Sequence, residues 1–271
     1  MSQNASKTKK LTEAAVMLAV ASVLSMIKLL DLPYGGSVTI ASMLPIVIIA
    51  YRHGVKLGLI TGFTFGIIQQ LLGLNTLSYV TTWQSIIAVI LLDYIIAFTV
   101  IGFAGLCRNV SSQPKALLLG ALSACILRYL CHVISGCTVW AGLSIPTNAA
   151  LLYSVGYNAT YMIPETIVTV SLAYFMGSVL DFKKESITGI SKPEGRKLSV
   201  LRLAGIALVT LALIYDSRTV FSHLQNAETG GFDISGLAAI HWNSIIAVSC
   251  IAISASVILF MISSRSAVAD K

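Results

Sequence analysis

Charge is scarce in this chain. Of 271 residues, 18 are Lys or Arg and 11 are Asp or Glu, 11% in all. Soluble domains carry about a quarter, so too little charge is present to solvate an ordinary globular surface. The net charge of +7 is not a nucleic-acid signal, because the bases sit in short stretches between apolar runs, and no nucleic-acid partner is expected. Cysteine is sparse, five in all, with no C-x-x-C. Cys131 and His132 with Cys137 match no standard zinc spacing, so the cysteines read as small buried thiols. No G-x-x-x-x-G-K-[ST] occurs, so the chain does not cradle nucleotide phosphates by that loop. H-E-x-x-H and G-x-S-x-G are absent as well, which removes the usual marks of proteases and hydrolases. The expectation is a non-enzyme without cofactor or metal.

What is present is apolar. Hydrophobic residues make up 56% of the chain and the mean hydropathy is +0.85. These values fit a polytopic membrane protein in a lipid bilayer. Eight segments are expected, over about 11–30, 40–51, 55–73, 83–106, 115–138, 152–181, 200–215 and 243–262. The second is short for about 30 Å of hydrocarbon. The first follows Lys7, Lys9 and Lys10 without an A-x-A site, and reads as a retained helix rather than a signal. A polar, basic stretch at 182–199 divides six helices (1–181) from two (200–271).

Bases set the orientation. With the N-terminus inside, the cytoplasmic stretches hold Arg52, Lys56, Arg108, Lys115, Lys183, Lys184 and most other bases. Only Lys28, Arg128 and Arg218 fall elsewhere, so both termini are expected in the cytoplasm.

Against this background, polar residues inside the apolar segments stand out: Asp93, Tyr94, Arg128, His132, Trp140, Tyr153, Asn158 and Glu165. A charged side chain at mid-bilayer costs roughly 2.5–3.5 kcal/mol on insertion scales, so it marks a cavity or bundle interior. Arg128 and His132 are four apart on one helical face, and Asn158, Tyr161 and Glu165 share another. With Asp93 they can line one outward-facing pocket. The competing reading is neutralisation, with Arg128 paired to Asp93 or Glu165. Trp140, Trp83 and Tyr153 also suit an interfacial aromatic belt. Ala15 and Ala19 form a small-x-x-x-small pair, which composition leaves open between packing and docking. For Gly58, Gly62 and Gly66 internal packing is expected.

The pattern resembles the thiamine-specific S component of energy-coupling factor (ECF) transporters. The matching stretches are Leu11-Thr12-Glu13-Ala14-Ala15 through Ala19, Tyr34-Gly35-Gly36-Ser37 through Pro45, and Tyr51-Arg52-His53-Gly54. They continue with Leu92-Asp93-Tyr94, Gly102 through Leu106, Arg128-Tyr129 through Gly136, Trp140, Tyr153-Ser154 and Tyr157-Asn158. The resemblance covers about 11–181, with intervals kept. It implies an all-α polytopic membrane protein, a six-helix S-component bundle, here followed by two additional C-terminal transmembrane helices. It implies a subunit that binds thiamine from outside and associates with a transmembrane coupling subunit and two ATPase subunits.

Carried over by position, the resemblance assigns Asp93, His132, Trp140, Tyr153 and Asn158 to the ligand and Arg128 to a supporting place, and Tyr94 beside Asp93 joins the candidate substrate-binding set. Asp93 is shorter than the family's glutamate. Tyr34, Gly35, Gly36 and Ser37 stand as a candidate lid, although some members carry a tryptophan in that loop. Ala15 and Ala19 become a docking face for the coupling subunit. Two other readings stay open. One is an S component for hydroxymethylpyrimidine or riboflavin. The other is a membrane-embedded enzyme using Asp93, His132 and Glu165.

Overall fold

The computed structural model describes residues 3–32, 36–142, 147–190, 193–223 and 234–269. Eight helices dominate it. They are α1 (Gln3–Met26), α2 (Leu44–His53), α3 (Val55–Leu72), α4 (Trp83–Asn109), α5 (Gln113–Gly142), α6 (Thr147–Val179), α7 (Pro193–His223) and α8 (Trp242–Ala269). By length and apolar content, α3 to α8 can each cross a membrane. The described residues divide into two compact units at Ile190 and Ser191.

In the first unit α2 is the axis. Its residues Leu44 to Tyr51 are all buried, and it touches α1, α3, α4, α5 and α6. A helix apolar on every side belongs inside protein, which is why this segment is short. Pro45 sits in its first turn, where its missing N–H costs nothing. Gly54, at φ 92°, turns the chain directly into α3. A side chain there would be strained.

The glycine row of α3 lets α4 approach closely. A Cβ at Gly66 would lie 2.8 Å from the Tyr94 carbonyl oxygen. A Cβ at Gly62 would collide with the Phe98 carbonyl oxygen. Internal packing is therefore the use of these small residues. Ala15 and Ala19 differ: both lie exposed on α1 beside Leu11, Val16, Val20 and Val23.

Two departures from plain helices matter for function. First, α1 ends at Met26, and the chain forms a hairpin of β1 (Lys28–Asp31) and β2 (Ser37–Thr39). Apolar segment one was expected to run to about 30, but its last residues are paired in this hairpin. Second, α4 is not uniform. Thr82 caps its start by accepting the Ser85 N–H, residues Val89–Ile96 are π-helical, and Val100–Asn109 tighten to 3₁₀ geometry. Such π turns inside helices often mark functional positions. Asp93 lies within this one.

After α6, β3 (Leu180–Asp181), at the end of the expected sixth segment, pairs with β4 (Thr188–Gly189) inside the stretch expected as linker, and α7 already begins within that stretch, at Pro193. Arg52 binds between the two strands, donating to the carbonyls of Phe182, Lys184 and Glu185 as well as to Glu13.

In the second unit α7 and α8 pack together as a pair. Ser249 donates to Asp216 at 2.6 Å, and Arg202 donates to Ser263 at 3.1 Å. A Cβ at Gly205 would stand 3.0 Å from Ser256 Oγ, so the helices are close there.

A polar cavity in the six-helix unit

A cavity of about 570 Å³ lies between the hairpin and helices α1, α3, α4, α5 and α6. That size suits a small ligand. Of the candidate ligand residues, Asp93, Tyr94, Arg128, His132 and Asn158 line it, together with Gly36 and Ser37.

The π-helical turn of α4 presents Asp93 to α5. Asp93 Oδ1 accepts from His132 Nδ1 at 2.8 Å, and Oδ2 accepts from Ser135 Oγ at 2.9 Å. His132 and Ser135 are three apart, on one face of α5. A carboxylate only accepts, so Nδ1 carries the imidazole proton. In the neutral ring, Nε2 is then an acceptor. It is buried and has no partner.

Asn158 is held from behind. Its Nδ2 donates to the His132 carbonyl at 3.2 Å and to the Ser154 carbonyl at 2.9 Å. Its Oδ1 accepts from the Tyr161 hydroxyl. Ser154 Oγ in turn donates to the Val133 carbonyl at 2.8 Å. A polar seam thus joins α5 and α6 beneath the ligand-facing groups. Tyr157 and Tyr161 stand edge to face 5.9 Å apart, and His132 meets Tyr161 at 5.9 Å, which makes one wall aromatic.

Among the described residues Arg128 makes no direct ion pair with Asp93 or Glu165, the pairing that spacing allowed. Its guanidinium sits 4.3 Å from the Phe98 ring centroid and donates to Met43 Sδ at 3.1 Å. Its Nε is buried without a partner. Glu165 binds Thr39 instead, accepting its N–H at 2.6 Å and its hydroxyl at 2.8 Å.

Other candidates are placed differently. Tyr94 lines the cavity, but its hydroxyl is engaged by the Gly73 carbonyl at 3.2 Å and by Thr76 Oγ1 at 3.0 Å. Tyr153 is not among the lining residues; it stacks on Tyr157, with ring centroids 6.4 Å apart. Trp140 belongs to α5, but its side chain lies outside the described residues, as do Tyr34 and Gly35 of the candidate lid. Trp83 is 67% exposed at the start of α4, as suits a belt residue.

Sequence reasoning passed over Ser135, Ser154 and Tyr157 as site residues, and Thr39, Gln69 and Thr76 altogether. Helical spacing from His132 and Asn158 was signal enough for Ser135 and Ser154. Thr39, Gln69 and Thr76 come from other elements, and nothing in the order of residues marks them. Among the described residues no cluster of His, Cys, Asp or Glu is arranged to hold a metal.

A helical membrane bundle enclosing a polar, aromatic-walled cavity is a small-molecule binding or transport protein. The comparisons are specific about which. The family model "Thiamine transporter protein (Thia_YuaJ)" matches residues 11–184, and the chain belongs to that family. It is a transport protein rather than an enzyme.

The chain is 36% identical over 171 residues to the thiamine transporter ThiT of Bacillus subtilis, covering 59% of this chain and 85% of that protein. It is 27% identical over 175 residues to ThiT of Lacticaseibacillus paracasei, covering 58% and 81%. The solved structure of ThiT from Listeria monocytogenes superposes with a TM-score of 0.51 at 23% identity, over 64% of this chain and 94% of that one. That likeness concerns the fold. Helices α7 and α8 lie beyond the matched span.

Proposed function

We propose that this chain is the thiamine-binding S component of an ECF-type uptake transporter. It captures thiamine from outside and delivers it together with a transmembrane coupling subunit and two ATPase subunits. The observation that carries the reading is the Asp93–His132–Ser135 network, which leaves an unpartnered, buried His132 Nε2 at the cavity. Family membership supports it, as does the name of the relatives.

The chemistry of thiamine fits this set. Its aminopyrimidine offers N–H donors to the His132 Nε2 acceptor, and ring nitrogens that accept. Asn158 has both N–H groups engaged by the His132 and Ser154 carbonyls, so it offers the ligand the second lone pair of Oδ1, in a direction fixed by Tyr161. Asp93 keeps a negative charge beside the ligand, which balances the cationic thiazolium. Tyr157 and Tyr161 contribute an aromatic face, where a cation gains roughly 0.5–2 kcal/mol. Trp140 supplies a further stacking surface and Tyr153 backs Tyr157. Arg128 and Tyr94 complete the wall as supporting residues. A pocket built to hydrogen-bond its ligand rejects analogues lacking those groups.

The loop carrying Tyr34, Gly35, Gly36 and Ser37 acts as the lid. Both termini face the cytoplasm, and the exposed Ala15–Ala19 face of α1 docks the coupling subunit. Residues 1–181 form the binding domain, 182–199 the cytoplasmic linker and 200–271 an appended membrane extension.

Thiamine titration of the purified chain tests the reading. Sub-micromolar quenching of tryptophan fluorescence, lost in Trp140→Ala, is the expected result. A response to hydroxymethylpyrimidine or riboflavin but not to thiamine refutes the assignment of ligand. Turnover of a bound compound refutes the assignment of class.

A further inference from the structure

Glu165 ties α6 to the hairpin at the edge of the cavity. It lies in α6, is 1% exposed and lines the cavity. A carboxylate in an apolar span is costly, so a compensating use is expected. Both of its oxygens are engaged by one residue, Thr39, through the backbone N–H at 2.6 Å and the hydroxyl at 2.8 Å. The Thr39 hydroxyl donates to Glu165, and its oxygen also meets Ser42 Oγ at 2.9 Å.

Thr39 is the last residue of β2, paired with Lys28 across the hairpin. Just beyond it local hydrogen bonds hold the chain. Ser42 N–H donates to Thr39 Oγ1 at 3.3 Å, Ala41 is held at φ 51°, and Leu44 N–H closes a turn on the Ala41 carbonyl at 2.9 Å. Toward the tip the contact with α6 is van der Waals packing: a Cβ at Gly36 would stand 2.6 Å from Tyr161 Cδ1 and 3.2 Å from the Tyr157 hydroxyl. The hairpin therefore rests on the aromatic wall at one end and is tethered to α6 at the other.

We propose that Glu165 is a positioning residue for the bound ligand: its carboxylate anchors β2 through Thr39, keeps Gly36 against Tyr157 and Tyr161, and so slows ligand escape past the hairpin. The inference rests on the thiamine-binding reading for its ligand, but the anchor itself does not need it. Loss of the threonine hydroxyl weakens the closed arrangement enough to raise the escape rate about tenfold.

The test uses the full chain in lipid nanodiscs, with thiamine as probe. Thiamine dissociation is timed for wild type, Thr39→Val, Thr39→Ser and Glu165→Ala, and amide hydrogen exchange is followed in the same samples. Thr39→Val keeps shape and backbone N–H but removes the hydroxyl; Thr39→Ser restores it. The expected result is about tenfold faster release from Thr39→Val, rescue by Thr39→Ser, and faster exchange at 28–39 with α5 and α6 protection unchanged. Unchanged release and unchanged hairpin exchange in Thr39→Val overturn the proposal. Faster exchange across all helices also overturns it, since the loss is then general. If Glu165→Ala does not fold, Glu165→Gln takes its place: it keeps the shape, loses one acceptor oxygen and leaves the Thr39–Ser42 contacts intact, so release as slow as wild type overturns the proposal. If wild type binds no thiamine, the ligand reading fails and the exchange measurement still decides the anchor.

Discussion

Replacing Asp93 by Asn separates charge from geometry at this cavity. The Asn carbonyl oxygen can still accept from His132 Nδ1, which Asp93 Oδ1 does now at 2.8 Å, and Ser135 can turn its hydroxyl to accept from the new amide. The scaffold is therefore kept, and what disappears is one negative charge. A cationic ring about 6 Å away, at an effective dielectric constant of about 20, is attracted by about 3 kcal/mol. The Asp93 side chain is 24% exposed to the cavity, so part of this is screened. A loss of roughly 1.5–3 kcal/mol is expected, about ten- to a hundredfold in Kd. A neutral aminopyrimidine carrying the same hydrogen-bonding edge should lose less than about threefold, because only a hydrogen-bond partner of similar geometry changes. Calorimetric titration of both ligands against wild type and Asp93→Asn measures the difference. Equal losses for the two would refute the charge-balancing role.

Three further outcomes follow from the geometry. Tyr161→Phe removes the donor to Asn158 Oδ1 and leaves a buried acceptor unpaired, so thiamine should bind about five- to tenfold more weakly, by fluorescence titration, and the unfolding temperature should fall, as a loss of about 1–3 kcal/mol requires. Gly62→Ala drives a methyl into the Phe98 carbonyl, and should destabilise the bundle by about 1–3 kcal/mol in thermal unfolding in detergent. A chain ending after Ile190 keeps every residue that lines the cavity, so its thiamine affinity should match the full chain within about twofold by the same titration. A large loss there would give α7 and α8 a part in binding.

Much of the architecture is written in the order of residues, since a bilayer imposes long apolar runs and closed backbone hydrogen bonding. The third to sixth segments match helices to within about five residues, whereas α7 (193–223) runs well beyond the expected 200–215 at both ends and α8 (242–269) beyond 243–262 at its C-terminal end. Segment two was legible as too short but not as the buried axis, because burial on every side depends on neighbours from five helices. The end of segment one was not legible, since Lys28 to Asp31 pair across a hairpin with residues whose register no local pattern specifies. Asp93, His132 and Asn158 were conspicuous as costly residues in hydrocarbon, and the fold brings them to one cavity. Arg128 differs in part. It lines the cavity as expected, but the ion pair that spacing left open as a competing reading is not formed, and packing against Phe98 and Met43 holds its guanidinium.

By itself, then, the sequence determined that this is a membrane bundle with a polar interior and which helices carry that interior. Hydropathy, the distribution of bases and the cost of buried charge act on each segment locally, so they can be read from it. Only the tertiary structure decided the partners: His132 with Asp93 and Ser135, Glu165 with Thr39 across 126 residues, and Arg128 with neither carboxylate. Hydrogen bonds are short-ranged and directional, so which groups meet depends on helix rotation and approach. Those follow from contacts summed over the whole bundle, such as the glycine row that seats α3 on α4.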